Sequence, residues 1–237
     1  MLKILLGMIC CHGAGGAAAR ADGDLTNAQA SANLIEIMFG SEFVGEATQI
    51  VRKWTGPMRI AIYALEPERY RALVEGHLGR LRQLTGLAIE LVDNKAAGQN
   101  AYVLIVGRSQ FYDLAERHLG PGKNPRTNTY LDCFGYFYSA AGSGEISELT
   151  AVMPNFATNE QLRQCVIEEI TQAIGLPNDS FTVRPSVFND DDQFPDLTWQ
   201  DELFLRMLYD PRVKPGMSRR AFEPLAHAII EELRPGL

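Results

Sequence analysis

The sequence predicts an α+β domain: a mixed, twisted sheet with an antiparallel edge strand, a backing helix, a helix carrying a polar motif, and C-terminal helices. Three observations predict it. Residues 59–64 and 89–92 are β-rich and flank a helical pattern, and residues 102–106 add a third strand that is almost continuously apolar. Residues 134–138 and 145–153 are two more β-rich runs, joined by the Gly-containing segment 140–144 as in a hairpin. A long helical pattern follows them. Strand-helix-strand units with an antiparallel edge give a sheet backed by helices.

The elements follow in order. Residues 27–53 are mostly helix-like and end in Val51-Arg52-Lys53-Trp54. Between 68 and 84, Tyr70, Leu73, Val74, Leu78, Leu81 and Leu84 fall at helical spacing, and Gly86 stops that helix. A short helix spans about 110–119, and Gly120-Pro121-Gly122-Lys123-Asn124-Pro125 is a loop. Thr158 caps the next helix, with Gln161 completing a capping box. Thr198 as N-cap and Asp201 at N3 make a second capping pair. In the last helix, 220–233, Phe222, Leu225, Ala226, Ile229, Ile230 and Leu233 form an apolar stripe suited to packing on its own domain.

The 237 residues suffice for one large domain or two small ones, and 46% hydrophobic content supports a core. No internal repeat or low-complexity run is present. The formal charge of −7 argues against nucleic acid and anionic membrane as partners.

The first 21 residues read as a signal peptide: Lys3, an apolar run at 4–11 too short to span a bilayer, and Ala19-Arg20-Ala21 at the cleavage position. The alternative is a buried N-terminal strand or helix, for which the Gly/Ala-rich run is poorly suited. Cleavage after Ala21 removes Lys3 and Arg20 and takes the charge from −7 to −9. The organisation is then a leader at 1–21, an N-terminal helical segment at 22–53 and one domain at 54–237, in a periplasmic or secreted protein free of the membrane.

Cleavage also removes Cys10 and Cys11. Cys133 and Cys165 remain, and an even pair in an exported protein points to a disulfide. Such a bridge would stabilise by roughly 3–4 kcal/mol on the loop-entropy model; two separate buried thiols are the alternative. His77 and His118 lie in helix-like surface patterns, and His227 in the last helix.

The chemistry concentrates at Glu168-Glu169-Ile170-Thr171-Gln172-Ala173-Ile174-Gly175-Leu176-Pro177-Asn178-Asp179. On a helix, Val166, Ile167, Ile170, Ala173 and Ile174 share one face, and Glu168 and Gln172 share the opposite face one turn apart. Gly175 permits a left-handed turn, and Pro177 stops the helix from resuming. A solvated polar face with a Gly C-cap explains these residues as well. The frame is that of a zincin, His-Glu-x-x-His-x-x-Gly-x-x-His, with Glu168, Gln172 and Asn178 or Asp179 in the metal slots and Glu169 in the general-base slot.

Two downstream segments extend the likeness. Pro185-Ser186-Val187-Phe188-Asn189-Asp190 stands where a metzincin has its Met-turn, with Phe188 at the Met position. Leu197-Thr198-Trp199-Gln200-Asp201, followed by Leu208-Tyr209, looks like the C-terminal helix segment of a matrix metalloprotease. Residues 54–217 thus resemble a metzincin-like zincin domain. More closely, the chain resembles an exported proteobacterial family of unknown function, family 2927. It does so at Phe39-Gly40-Ser41-Glu42-Phe43, at the Glu168–Asp179 run, at Ser186-Val187-Phe188-Asn189-Asp190 and at Leu208-Tyr209-Asp210-Pro211-Arg212…Pro215-Gly216-Met217.

The zincin resemblance implies a metal site, but the donors here are all oxygen. Zinc prefers imidazole and thiolate, and neutral amides are weak donors to it. The set better suits a hard divalent cation such as calcium. Asp190-Asp191-Asp192, with Asp196 nearby, fits no calcium loop and reads as a solvated turn. The sequence therefore points to a non-catalytic module that binds an extended peptide or envelope protein by strand addition. Phe134, Tyr136, Phe137 and Tyr138 either line that cleft or alternate as ordinary strand residues. The alternative is an active metal-dependent peptidase with Glu169 as general base.

Overall fold

The computed structural model describes residues 2–9, 25–40, 49–119, 131–140, 142–189, 191 and 194–234, with the backbone alone at 2–9 and 131. In chain order the elements are β1 (Leu2–Ile9), α1 (Asn27–Phe39), β2 (Lys53–Trp54), β3 (Met58–Tyr63), α2 (Glu68–Thr85), β4 (Ile89–Val92), β5 (Ala101–Val106), α3 (Arg108–Leu119), β6 (Leu131–Ser139), β7 (Glu145–Pro154), α4 (Asn159–Ala173), α5 (Trp199–Leu208) and α6 (Arg219–Leu233). The strands and helices expected between 59 and 153 are present, with ends shifted by a few residues.

The sheet order is β1-β6-β7-β5-β3-β4, and β2 pairs in parallel with the start of β7. Strands β7, β5, β3 and β4 are mutually parallel. Among the described strands only β6 is reversed: it pairs antiparallel with β7 on one side and β1 on the other. The expected antiparallel edge strand is therefore corrected. The reversed strand lies inside the sheet because Leu2–Ile9 pairs along its outer side, and the edge strands β1 and β4 both run in the majority direction.

Alternation along the strands divides the apolar residues between two layers. Ala101, Val103 and Ile105 of β5 face the main core, while Leu104 and Val106 face a smaller cluster under α3. Strand β6 behaves likewise. Cys133 and Phe137 enter the main core; Phe134, Tyr136 and Tyr138 join the α3 layer, where His118 stacks on Tyr136 at 4.6 Å. The four β6 aromatics do not line an open cleft. They are ordinary strand residues, since both faces of β6 are covered.

The main core lies between the sheet and helices α1, α2, α4, α5 and α6. Within the expected helical segment 22–53, the helix described is Asn27–Phe39, and Lys53–Trp54 is strand. Helix α1 packs on α6, where Phe39 and Phe222 approach to 5.7 Å. The apolar run expected to lead the chain out of the cell is extended, in register from Leu2 opposite Ser139 to Ile9 opposite Leu131. Cys10, Cys11, the cleavage point after Ala21, the 120–125 loop and Ser41-Glu42-Phe43 lie outside the described residues. Among those described, no helix is long and apolar enough to cross a membrane. Cys133 and Cys165 are bridged, joining β6 to α4 with Cα atoms 5.9 Å apart.

Candidate functional site

Helix α4 begins at the Thr158–Gln161 capping box and packs on β6, β7, α2 and β1. That placement buries almost the whole helix from Leu162 to Ala173. Glu168, Glu169 and Gln172 are at most 4% exposed, so the alternative of a solvated polar face does not hold: this face is interior. Glu168 and Glu169 are both partnered, as carboxylates at this depth must be.

The turn after α4 is set by Gly175, whose φ is +130°. A Cβ there would lie 2.2 Å from the Arg52 carbonyl oxygen, so close approach of the β2 lead-in also demands glycine. The chain then doubles back. The Asn178 backbone N–H donates to the Ile37 carbonyl at 3.1 Å, and its side-chain amide donates to the Glu36 carbonyl at 3.3 Å. Asp179 returns instead to α4, accepting a hydrogen bond from Gln172 Nε2. Of the two residues expected at the third ligand position, Asp179 meets Gln172 and Asn178 fastens the turn to α1. Gln172 Oε1 is buried with no hydrogen-bond partner among the described residues.

The segment expected as the Met-turn lies beside this return. The Phe188 ring is fully buried, and its carbonyl accepts from the Ser180 N–H at 2.8 Å. Arg184–Pro185 is cis. Asp201 holds the turn: it accepts from Ser186 Oγ at 2.6 Å and the Val187 N–H at 3.1 Å while capping α5 through the Thr198 N–H at 2.7 Å. Burial pushes this carboxyl up to about 6 against the pull of those hydrogen bonds. The Thr198–Asp201 pair was legible as a cap; its second attachment to 186–187 was not. In the acidic run, Asp191 pairs with Arg184 and Asp196 with Arg163, while Asp190 and Asp192 lie outside the described residues.

The Leu208-Tyr209 segment fastens the end of α4. Tyr209 Oη donates to the Ile174 carbonyl at 2.8 Å and accepts from the Trp54 N–H at 3.2 Å. Beneath it Lys53 Nζ donates to the carbonyls of Leu208 and Val213 at 2.9 and 3.0 Å, satisfying the end of α5. Burial lowers this ammonium to about 8. A lysine at the end of an apolar segment carried no signal for this role.

The arrangement does not fit zinc. The Gln172 amide nitrogen is committed to Asp179, Asn178 is aimed at α1, and no imidazole or thiolate enters the set. Among the described residues no three His, Cys, Asp or Glu come together as ligands. What the geometry does is tie α1, α4, the 176–189 segment and α5 into one buried polar joint.

Comparison with known proteins places a family on this frame. Residues 27–228 match the model of a family of proteins of unknown function, DUF2927, and the chain belongs to that family. No curated protein matches it.

Proposed function

We propose that the chain is an exported, non-catalytic module on a metzincin-like scaffold that holds an extended peptide of an envelope protein along β6. The observation that carries this reading is the pairing of Leu2–Ile9 with β6 from Leu131 to Ser139. The outer side of β6 accepts an antiparallel strand along its length. Removal of the leader after Ala21 would leave those backbone groups open, and an open row of N–H and C=O groups is a template for strand addition. The β6 aromatics face the two cores, so recognition would run through the backbone and discriminate side chains weakly.

Other features support the reading. Among the described strands a single one is reversed, with β7 and the motif-bearing α4 after it, and this order supports a zincin-like scaffold even though β1 moves the reversed strand off the edge. The Cys133–Cys165 bridge suits an oxidising compartment. The donor chemistry of Glu168, Gln172 and Asp179 supports loss of zinc catalysis.

The test exports the protein from its own leader and determines its N-terminus by mass spectrometry. A synthetic peptide of residues 2–9 is then titrated into the processed chain. Cleavage near Ala21, micromolar binding and hydrogen-exchange protection of β6 amides on binding are expected. An intact N-terminus in the exported protein, or no binding, overturns the reading. Turnover of a peptide library that Glu169→Gln abolishes would replace it with hydrolysis.

A further inference from the structure

A cavity of about 410 Å³ opens between α2, α4, the start of α5 and the 195–197 segment, away from β6. That volume is typical of a small-molecule site. Its walls combine Leu73, Ile167 and Leu197 with two ion pairs and a histidine. At one ion pair Arg80 Nε meets Glu202 at 2.7 Å; at the other Arg163 Nη2 meets Asp196 at 2.5 Å. Two cations and two anions sum to no charge.

The histidine is His77, only 7% exposed, and its ring faces Thr171 of α4 with Nε2 3.1 Å from Oγ1. Hydrogen counting fixes the tautomer. Thr171 has one hydroxyl hydrogen, and it goes to the Ile167 carbonyl at 2.5 Å. His77 Nε2 must then be the donor, which leaves the lone pair on Nδ1. No described residue donates to Nδ1, although His77 lines the cavity. Burial and the Arg163 charge keep the ring neutral.

We propose that this cavity binds a small zwitterion, a free amino acid with an apolar side chain. The ligand's ammonium supplies a donor to His77 Nδ1 and faces the rim carboxylates. Its carboxylate takes a rim guanidinium, most readily that of Arg163, because Asp196 is 69% exposed and an exposed ion pair exchanges partners at little cost. The apolar wall takes the side chain. A net anion or cation would leave one rim charge uncompensated, so the balanced rim selects a molecule carrying both.

The test titrates the full chain with L-leucine by calorimetry, beside 4-methylpentanoate, which lacks the amine, and isoamylamine, which lacks the carboxylate. Leucine is expected to bind, and each analogue to bind roughly tenfold or more weakly through loss of a charge-assisted hydrogen bond. His77→Phe keeps the ring volume and removes the acceptor, and is expected to weaken leucine by roughly three- to tenfold. Gly76→Leu supplies the folding control. A Cβ at Gly76 meets nothing within 4 Å, so the side chain enters open space in a helix that leucine favours. This variant should unfold no earlier than the parent and bind no leucine. No leucine binding at millimolar concentration, equal binding of both analogues, or unchanged affinity in Gly76→Leu overturns the proposal.

Discussion

Asp179 reaches back across the Gly175 turn to accept a hydrogen bond from Gln172, and both side chains are buried. Asp179→Ala would leave the Gln172 amide with neither its nitrogen nor its oxygen hydrogen-bonded. Stranding a buried polar group costs about 1–3 kcal/mol, so at least that loss is expected in urea unfolding. Asn178→Ala removes a longer bond at a half-buried site and should cost about 0.5–1 kcal/mol. Asn178→Ala proving the more damaging would show that the return segment is held from α1 rather than from α4.

Two glycines, Gly175 after α4 and Gly79 within α2, should respond in opposite directions to alanine. At Gly175 the φ of +130° and the Arg52 carbonyl both oppose a Cβ. Gly175→Ala is therefore expected to destabilise by roughly 3 kcal/mol or more, since both backbone strain and a backbone clash must be relieved. Gly79 sits inside α2, where a Cβ would touch only an arginine tip at 3.9 Å. Gly79→Ala is expected to stabilise by about 0.5–1 kcal/mol through helix propensity. Thermal unfolding of the two variants reads both signs.

These contrasts show what was legible in the chain. Strands β3 to β7 and the caps of α4 and α5 followed from local rules, because alternation and a capping box involve residues within a few positions of one another. The disulfide followed from counting the cysteines that remain if the first 21 residues are read as a leader. What escaped depends on distant partners. Glu168 and Gln172 occupy the polar stripe that the helical period assigns them, yet β1, β6 and α2 cover the helix. His77 read as a surface residue because nothing in α2 announces that Thr171 lies opposite. Whether Asn178 or Asp179 turns toward Gln172 depends on the Glu36 carbonyl, 142 positions upstream of Asn178.

The Cys133–Cys165 bridge closes a sequence separation of 32 and ties β6 to the first half of α4. Replacing both cysteines with alanine should lower stability by roughly 3–4 kcal/mol on the loop-entropy model. On that model the effect arises from a gain of entropy in the unfolded chain, not from altered native contacts, so far-ultraviolet circular dichroism at low temperature should not change. A loss well under 1 kcal/mol would mean that the unfolded chain already keeps β6 near α4.

Two buried groups beside α4 and α5, His77 and Asp201, should oppose each other with pH. His77 is lowered from 6.5 to about 3, first by burial and then by Arg163. Between those values the unfolded chain binds the extra proton, so this group's contribution is complete above pH 6.5 and is lost as pH falls. Asp201 is raised from 3.8 to about 6 by burial. Between those values the folded chain binds the extra proton, so its contribution is complete at low pH and is lost as pH rises toward 6. Each slope approaches about 1.4 kcal/mol per pH unit where one state is protonated and the other is not. Between about pH 4 and 6 the two nearly cancel in the native chain. Relative to that chain, His77→Phe should gain stability on acidification from pH 6 to 4.5, and Asp201→Asn should lose it. Urea midpoints measured at several pH values in that window read the two differences directly. Parallel profiles for the two variants would show that neither proton is taken up where the structure assigns it.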